Sequence, residues 1–127
     1  MALLPPYAQF LGIETRRADD GELLYVMPFG DAVIGRPGFL HGGAIAGLLE
    51  LAAFGAVYEA LGSRDAKVKP INVTVQYMRG GTHHDTYATA RITRLGNRVA
   101  NVEAHAWQLD RAKPIAAAQM NVMLRRD

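Results

Sequence analysis

The chain contains no cysteine. That excludes a disulfide frame, a thiolate nucleophile and any zinc site built on thiolates, and it leaves the redox compartment unread. Aromatic residues are scarce, with a single Trp. The arginines run scattered from Arg16 to Arg126 without a basic stripe interleaved with aromatics, so a nucleic-acid partner is not expected. No apolar run reaches the roughly 20 residues a membrane span needs. The longest is broken by Glu50 and by Gly42, Gly43, Gly47 and Gly55, and reads as a buried core helix with no membrane partner. The N-terminus has no basic region ahead of an apolar one, so no secretory signal is read there and a cytoplasmic location is the expectation. No Gly-x-Ser-x-Gly occurs, which leaves a serine hydrolase without its nucleophile elbow. His83, His84 and Asp85 are adjacent, but neighbours on a strand or tight turn point apart, so no metal site is expected.

What is present is a 127-residue chain, half of it hydrophobic, suited to one domain over residues 1–127. Pro5 and Pro6 open one or two helical turns that Gly12 stops. Strand-like runs at 13–17 and 23–29 flank Asp19-Asp20-Gly21, a hairpin signal. An irregular loop over 30–40 leads to a long apolar helix from about Gly42 to Leu61, with Gly62 as its C-cap. A charged connector over 63–69 follows. From Pro70 the period becomes two: Ile71, Val73, Val75 and Tyr77 alternate with Asn72, Thr74, Gln76 and Met78. Further strands are expected over 86–93, 99–109 and 114–124. A helix apolar all round must be wrapped, and a single curved antiparallel sheet is the obvious wrapper, giving an α+β class.

Glu50 is the only charged residue between His41 and Glu59. An ionised carboxylate is costly to bury unless it is paired or has a task. The positions three and four away, Ala46, Gly47, Ala53 and Phe54, are small or apolar, so no polar face accompanies it. Glu50 is therefore the first candidate for chemistry, against the plainer reading of a solvent-facing stripe. At the helix start, Gly42 and Gly43 expose backbone N–H groups at the positive end of the helix dipole. Such donors can polarise a carbonyl and hold an oxyanion, and glycine allows a substrate close approach; a tight loop-to-helix turn is the alternative.

The stretch Gly38-Phe39-Leu40-His41-Gly42-Gly43-Ala44, with an acid nine positions after the His, is followed by Asn72-Val-Thr-Val-Gln-Tyr77-Met-Arg79 and Leu95-Gly96-Asn97-Arg98. Together these resemble the hotdog-fold acyl-CoA thioesterases of the phenylacetate-pathway (PaaI-like) type, over nearly the whole chain. The resemblance implies a hotdog fold with about five to six strands. It also implies a homodimer with a continuous sheet, assembling as a dimer of dimers (a homotetramer), and active sites between subunits. It implies an acyl-CoA substrate, with coenzyme A present as part of the substrate and no separate cofactor. Glu50 matches the family's catalytic acid, as nucleophile or general base, and the Gly42 N–H its oxyanion donor. Gly43 belongs to the same helix start. His41 either touches the thioester or caps and orients the helix, the second role being favoured. The phosphates of coenzyme A would lie near Arg79, Gly80 and Arg98, and Phe54 and Tyr58 would line the acyl pocket.

Three positions depart from the family's pattern. Gly35, Phe54 and Pro70 stand where related enzymes carry Asn or Gln, Ser or Thr, and Ser as helpers. Asn72, Thr74 and Arg36 are the candidate substitutes. A hydroxyacyl dehydratase would need a His in the loop before the helix, where 30–40 has none. A non-catalytic acyl-CoA binder is the remaining alternative, and it gives no reason to keep Glu50.

Overall fold

The computed structural model describes residues 4–62 and 66–125. The elements are α1 (Pro6–Phe10), β1 (Glu14–Arg17), β2 (Leu23–Met27), a 3-10 turn (Asp31–Val33), α2 (Gly42–Leu61), β3 (Lys67–Tyr77), β4 (Thr86–Leu95), β5 (Val99–Trp107) and β6 (Ala116–Arg125). The six strands form one antiparallel sheet in the order β1-β2-β4-β5-β6-β3. The sheet curves around α2, the hotdog arrangement.

By length and composition α2 could cross a bilayer. Here it packs against β2 through β6 instead. Leu48, Leu49 and Val57 are fully buried beneath it, each such side chain worth about 1.5–3 kcal/mol against exposure. The sheet meets them with small residues: Ala88, Ala100, Ala104, Ala106, Ala116 and Ala118 are all buried. His41, in extended backbone, is the N-cap, and Gly62 ends the helix at φ 66°. Glycine takes this left-handed C-terminal position without the steric cost of a Cβ.

Tyr25 lies buried on β2 and points at Gly55 of α2. A Cβ at Gly55 would sit 2.7 Å from Tyr25 Cζ and closer still to its hydroxyl. The glycine is therefore a packing requirement within a helix interior, where it otherwise costs about 1 kcal/mol against alanine.

Strand boundaries differ from the sequence expectation in instructive ways. β3 begins at Lys67, within the expected connector, and Pro70 lies inside the strand rather than at its start. An edge strand tolerates a missing N–H, and β3 is an edge strand with a register shift between Pro70 and Asn72. Residues 63–65 of the expected connector lie outside the described residues. β2 ends at Met27, β5 at Trp107, and β6 starts at Ala116; between β5 and β6 the chain turns where Lys113 N–H donates to Asp110 O at 2.9 Å. The 30–40 loop contains the 3-10 turn and an antiparallel bridge between Ile34 and Leu40.

β3 leaves apolar groups uncovered: Ile71 is 53% exposed, Val73 37% and Tyr77 55%. The sheet face turned away from α2 is polar. There Asn101 Nδ2 donates to Asn121 Oδ1 at 2.5 Å, and Asn121 Nδ2 donates to Asn72 Oδ1 at 2.9 Å, a ladder across three strands. Nearby, a concavity of about 370 Å³ is lined by Glu22, Arg91, Glu103, His105 and Arg111 among others. Arg111 donates both Nη1 and Nη2 to Glu22 at 2.7 Å and lies 4.6 Å over Trp107, on which His105 also stacks. Those hydrogen bonds hold the Glu22 carboxyl below its ordinary range and raise Arg111. Burial, then the Arg111 charge, pushes His105 down.

Two outcomes follow. Gly55→Ala loses more to the Tyr25 collision than it gains in helix propensity, for a net destabilisation of about 1–3 kcal/mol, read as a lower thermal midpoint by circular dichroism. Stability also falls with acidification. His105 favours its neutral form, so its contribution is full above its ordinary value of 6.5 and is lost as pH drops through the depressed folded value. Glu22, also depressed, contributes above 4.5 and loses its share at lower pH. Urea midpoints measured against pH should flatten in the upper limb for His105→Gln and in the lower limb for Glu22→Gln.

Candidate active site

The helix entrance is built by capping. His41 Nδ1 accepts the Gly43 N–H at 2.8 Å, and His41 O accepts from Ala44 N at 3.1 Å and Ile45 N at 3.2 Å. An accepting Nδ1 assigns the ring proton to Nε2. Gly42 is left as the first-turn residue whose N–H has no partner among the described residues. Its carbonyl accepts from Tyr77 Oη at 2.9 Å. A Cβ would stand 3.4 Å from Tyr77 Oη if added at Gly42, and 2.9 Å from His41 Nδ1 if added at Gly43. The glycines thus serve two ends: Gly43 makes room for the capping imidazole, and Gly42 presents a free donor at the positive end of the dipole.

The preceding loop closes on this entrance. Leu40 N–H donates to Gly81 O at 3.0 Å, and the Phe39 ring occupies the space where Gly80 lacks a side chain. The Arg36 guanidinium lies 4.4 Å over Phe39. Arg79 follows directly, its N–H donating to Ile115 O. Arg36, Phe39, Arg79 and Gly80 therefore gather beside His41 and Gly42.

Glu50 is half-buried, and its carboxylate forms no hydrogen bond or ion pair with any described residue. It belongs to a helix stripe, Gly43, Gly47, Glu50, Phe54 and Tyr58, that the sheet does not cover fully. Every other member is small or aromatic, so the carboxylate stands on an apolar strip. Gly42 and Glu50 are eight residues apart, about 12 Å along the axis. One chain cannot bring both to a single carbonyl.

Other candidates fall elsewhere. Asn72 and Thr74 sit on the sheet face away from α2, Asn72 bonded to Asn121 and Thr74 lining the outer concavity. Arg98 lies at the Lys67 end of β3, its carbonyl accepting from Leu124 N–H. There Arg98, Lys67, Lys69 and Arg125, with Asn97 and Met123, line a cavity of about 620 Å³ that has no acidic side chain among the described residues of its wall. The ten residue steps from Lys67 to Tyr77 separate this cluster from Arg79 and Gly80 by roughly 30 Å. Phe39 and Tyr77 fall within the stretches that carry the resemblance but received no site role from the sequence, and neither did Lys67, Lys69 and Arg125. The signal was present for Lys67 and Lys69, which alternate with Val68 as an outward pair once the strand is known to start there. Among the described residues no group of three His, Asp or Glu side chains could hold a metal ion; His83 stacks on Phe29 at 4.2 Å.

Comparison with known proteins agrees with this arrangement. The chain resembles a Bacillus halodurans protein, BH2602, solved with CoA, with a TM-score of 0.88 at 22% identity over 98% of this chain and 81% of that one. A Chromobacterium violaceum protein is 31% identical over 95% of this chain and 84% of its own, with a TM-score of 0.75. A phenylacetic acid degradation-related protein from Ralstonia eutropha JMP134 is 26% identical over 96% and 92%, with a TM-score of 0.79. No curated protein matches. The Thioesterase superfamily model matches residues 37–115, which span the capped glycine entrance, Glu50 on α2 and three of the six strands, β3 to β5. With its helix entrance, its Glu50 carboxylate and the three strands that follow α2 inside one family's frame, the chain belongs to the thioesterase superfamily.

Proposed function

We propose that this chain hydrolyses the thioester bond of a small or medium acyl-CoA or aryl-CoA, releasing the free acid and coenzyme A. The observation that carries the reading is a pair of groups on α2 without partners among the described residues: a backbone N–H at Gly42 and a carboxylate at Glu50, on a helix with no other charge before Glu59. The Gly42 N–H polarises the thioester carbonyl and holds the oxyanion that develops on attack. Glu50 either attacks the carbonyl carbon itself or removes a proton from the attacking water, and in both routes the C–S bond breaks and the thiol leaves.

Because donor and carboxylate are about 12 Å apart in one chain, the site takes its donor from one subunit and Glu50 from another. The exposed edge of β3, with Ile71, Val73 and Tyr77 uncovered, supports antiparallel pairing with a second β3. That pairing sets the Lys67 end of one strand beside the Tyr77 end of the other. It would unite the two separated cationic clusters: the Arg98, Lys67, Lys69 and Arg125 cavity of one chain and the Arg36, Arg79 and Gly80 entrance of its partner. Phosphates of coenzyme A suit such a surface, since charge-assisted bonds to Arg and Lys are the strong ones. That BH2602 was solved with CoA is consistent with this.

The test is thiol release from a panel of aryl- and alkyl-CoA thioesters. Wild type should turn over one class, and Glu50→Ala should lose about 100-fold or more in kcat, roughly 2.7 kcal/mol of barrier. Binding without hydrolysis by wild type would instead favour a non-catalytic acyl-CoA binder, in keeping with the absence of helpers at Gly35, Phe54 and Pro70. The subunit arrangement is tested separately. The chain has no cysteine, so single Cys variants at Asn72, Thr74 and Gln76 report on β3 alone. One of the three should give a disulfide-linked dimer on oxidation, and a monomeric wild type in light scattering would rule the shared site out.

A further inference from the structure

Tyr7 belongs to no motif, yet its ring is placed on the stripe that carries Glu50. A Cβ at Gly47 would lie 2.9 Å from Tyr7 Cε2 and 3.7 Å from Cδ2, so the ring meets the helix by this edge, at the carbon next to the one that bears the hydroxyl. The missing side chain at Gly47 is what admits an aromatic edge to this depth. The ring is held there by its neighbours. Tyr7 stacks with Phe10 at 6.4 Å and 13°, and Ala8 and Leu11, both buried, anchor α1 to the core.

Glu50 is one turn further along the same face. Residues three apart on a helix have β-carbons about 5–6 Å apart, and helical side chains tilt toward the N-terminus. The Glu50 carboxylate therefore leans back toward Gly47 and the ring above it. Neither the Tyr7 hydroxyl nor the Glu50 carboxylate has a hydrogen-bond partner among the described residues, and Tyr7 is 55% exposed. A phenolic donor and a carboxylate acceptor, both unbonded and one helical turn apart on the same strip, can share a water between them.

We propose that Tyr7 is a positioning residue for thioester hydrolysis, its hydroxyl donating to the water whose proton Glu50 accepts. This rests on the thioesterase reading above, with Glu50 acting as the base. The water oxygen bonds to the thioester carbon as its proton passes to Glu50. The tetrahedral intermediate then collapses, the C–S bond breaks, and the departing sulfur takes that proton from Glu50, giving acid and thiol. Tyr7 gains and loses nothing in the step; it fixes the direction from which water approaches. It would thereby fill, from α1, the orienting role for which Gly35, Phe54 and Pro70 offer no suitable side chain.

The experiment compares kcat and KM of wild type, Tyr7→Phe, Glu50→Ala and the double variant on the best thioester of the panel. Tyr7→Phe keeps the ring against Gly47, so its thermal midpoint should match wild type. Its kcat should fall about 10- to 100-fold, the scale of a misplaced reactant, with KM within about two-fold. In the Glu50→Ala background the same change should cost nothing further. Wild-type kcat in Tyr7→Phe overturns the proposal, as does an undiminished effect of Tyr7→Phe when Glu50 is absent. Failure of the underlying reading shows differently: no turnover by wild type, or full turnover by Glu50→Ala, overturns it and this proposal together.

Discussion

How near α2 can lie to the sheet is set by small side chains on both surfaces. Six buried alanines on β4, β5 and β6 meet a helix that is itself rich in alanine and glycine, and one tyrosine hydroxyl is received in the gap of Gly55. Close packing of this kind replaces the large aromatic payload that the composition lacks. Interiors at this density respond to single added atoms, so the helix is held in one position along its axis. That position aims its entrance at the end of β3 and holds its open stripe beneath α1.

The same rigidity divides the polar groups between two ends and two faces. At one end stand the capped glycine entrance, Tyr77 and the Arg36–Phe39 stack; at the other, four cations line a cavity. The sheet separates the entrance from the Glu22–Arg111–His105 cluster on its outer face, the face to which Lys67 and Lys69 also point. A ligand with an apolar acyl end and an anionic nucleotide end has the same division of character, and the exposed edge of β3 is the place where the two ends of different chains can be joined.

Much of the fold was legible because the period of apolar residues changes from all-round to two at a clear boundary. The helix limits, its C-cap at Gly62 and the alternation from Val73 to Tyr77 were readable in that way. The start of β3 was not, because Pro70 reads as a boundary until the strand is known to lie on an edge where its missing N–H goes unnoticed. At the site, Glu50 and Gly42 stood out by local contrast, a charge in apolar surroundings and a pair of glycines at a helix start. The division of labour between Gly42 and Gly43 did not, since it depends on which way the His41 ring turns. Tyr7 and the Lys67, Lys69 and Arg125 partners of Arg98 are long-range neighbours, brought in by strand register and by the docking of α1; the alternation of Lys67 and Lys69 marks an outward pair, and no local spacing announces what they meet.

The asparagine ladder on the outer face has a sense of direction. Each amide nitrogen gives to the next amide oxygen, from β5 through β6 to β3, so turning one amide over would set oxygen against oxygen or nitrogen against nitrogen unless all three turned together. The row therefore behaves as a single polarised unit whose sense is fixed collectively. It finishes on the outermost strand with the Nδ2 group of Asn72 as its open donor. An edge that ends in a donor discriminates among its neighbours: it welcomes a carbonyl or carboxamide oxygen and opposes an ammonium, a rule of access written by side chains rather than by the backbone.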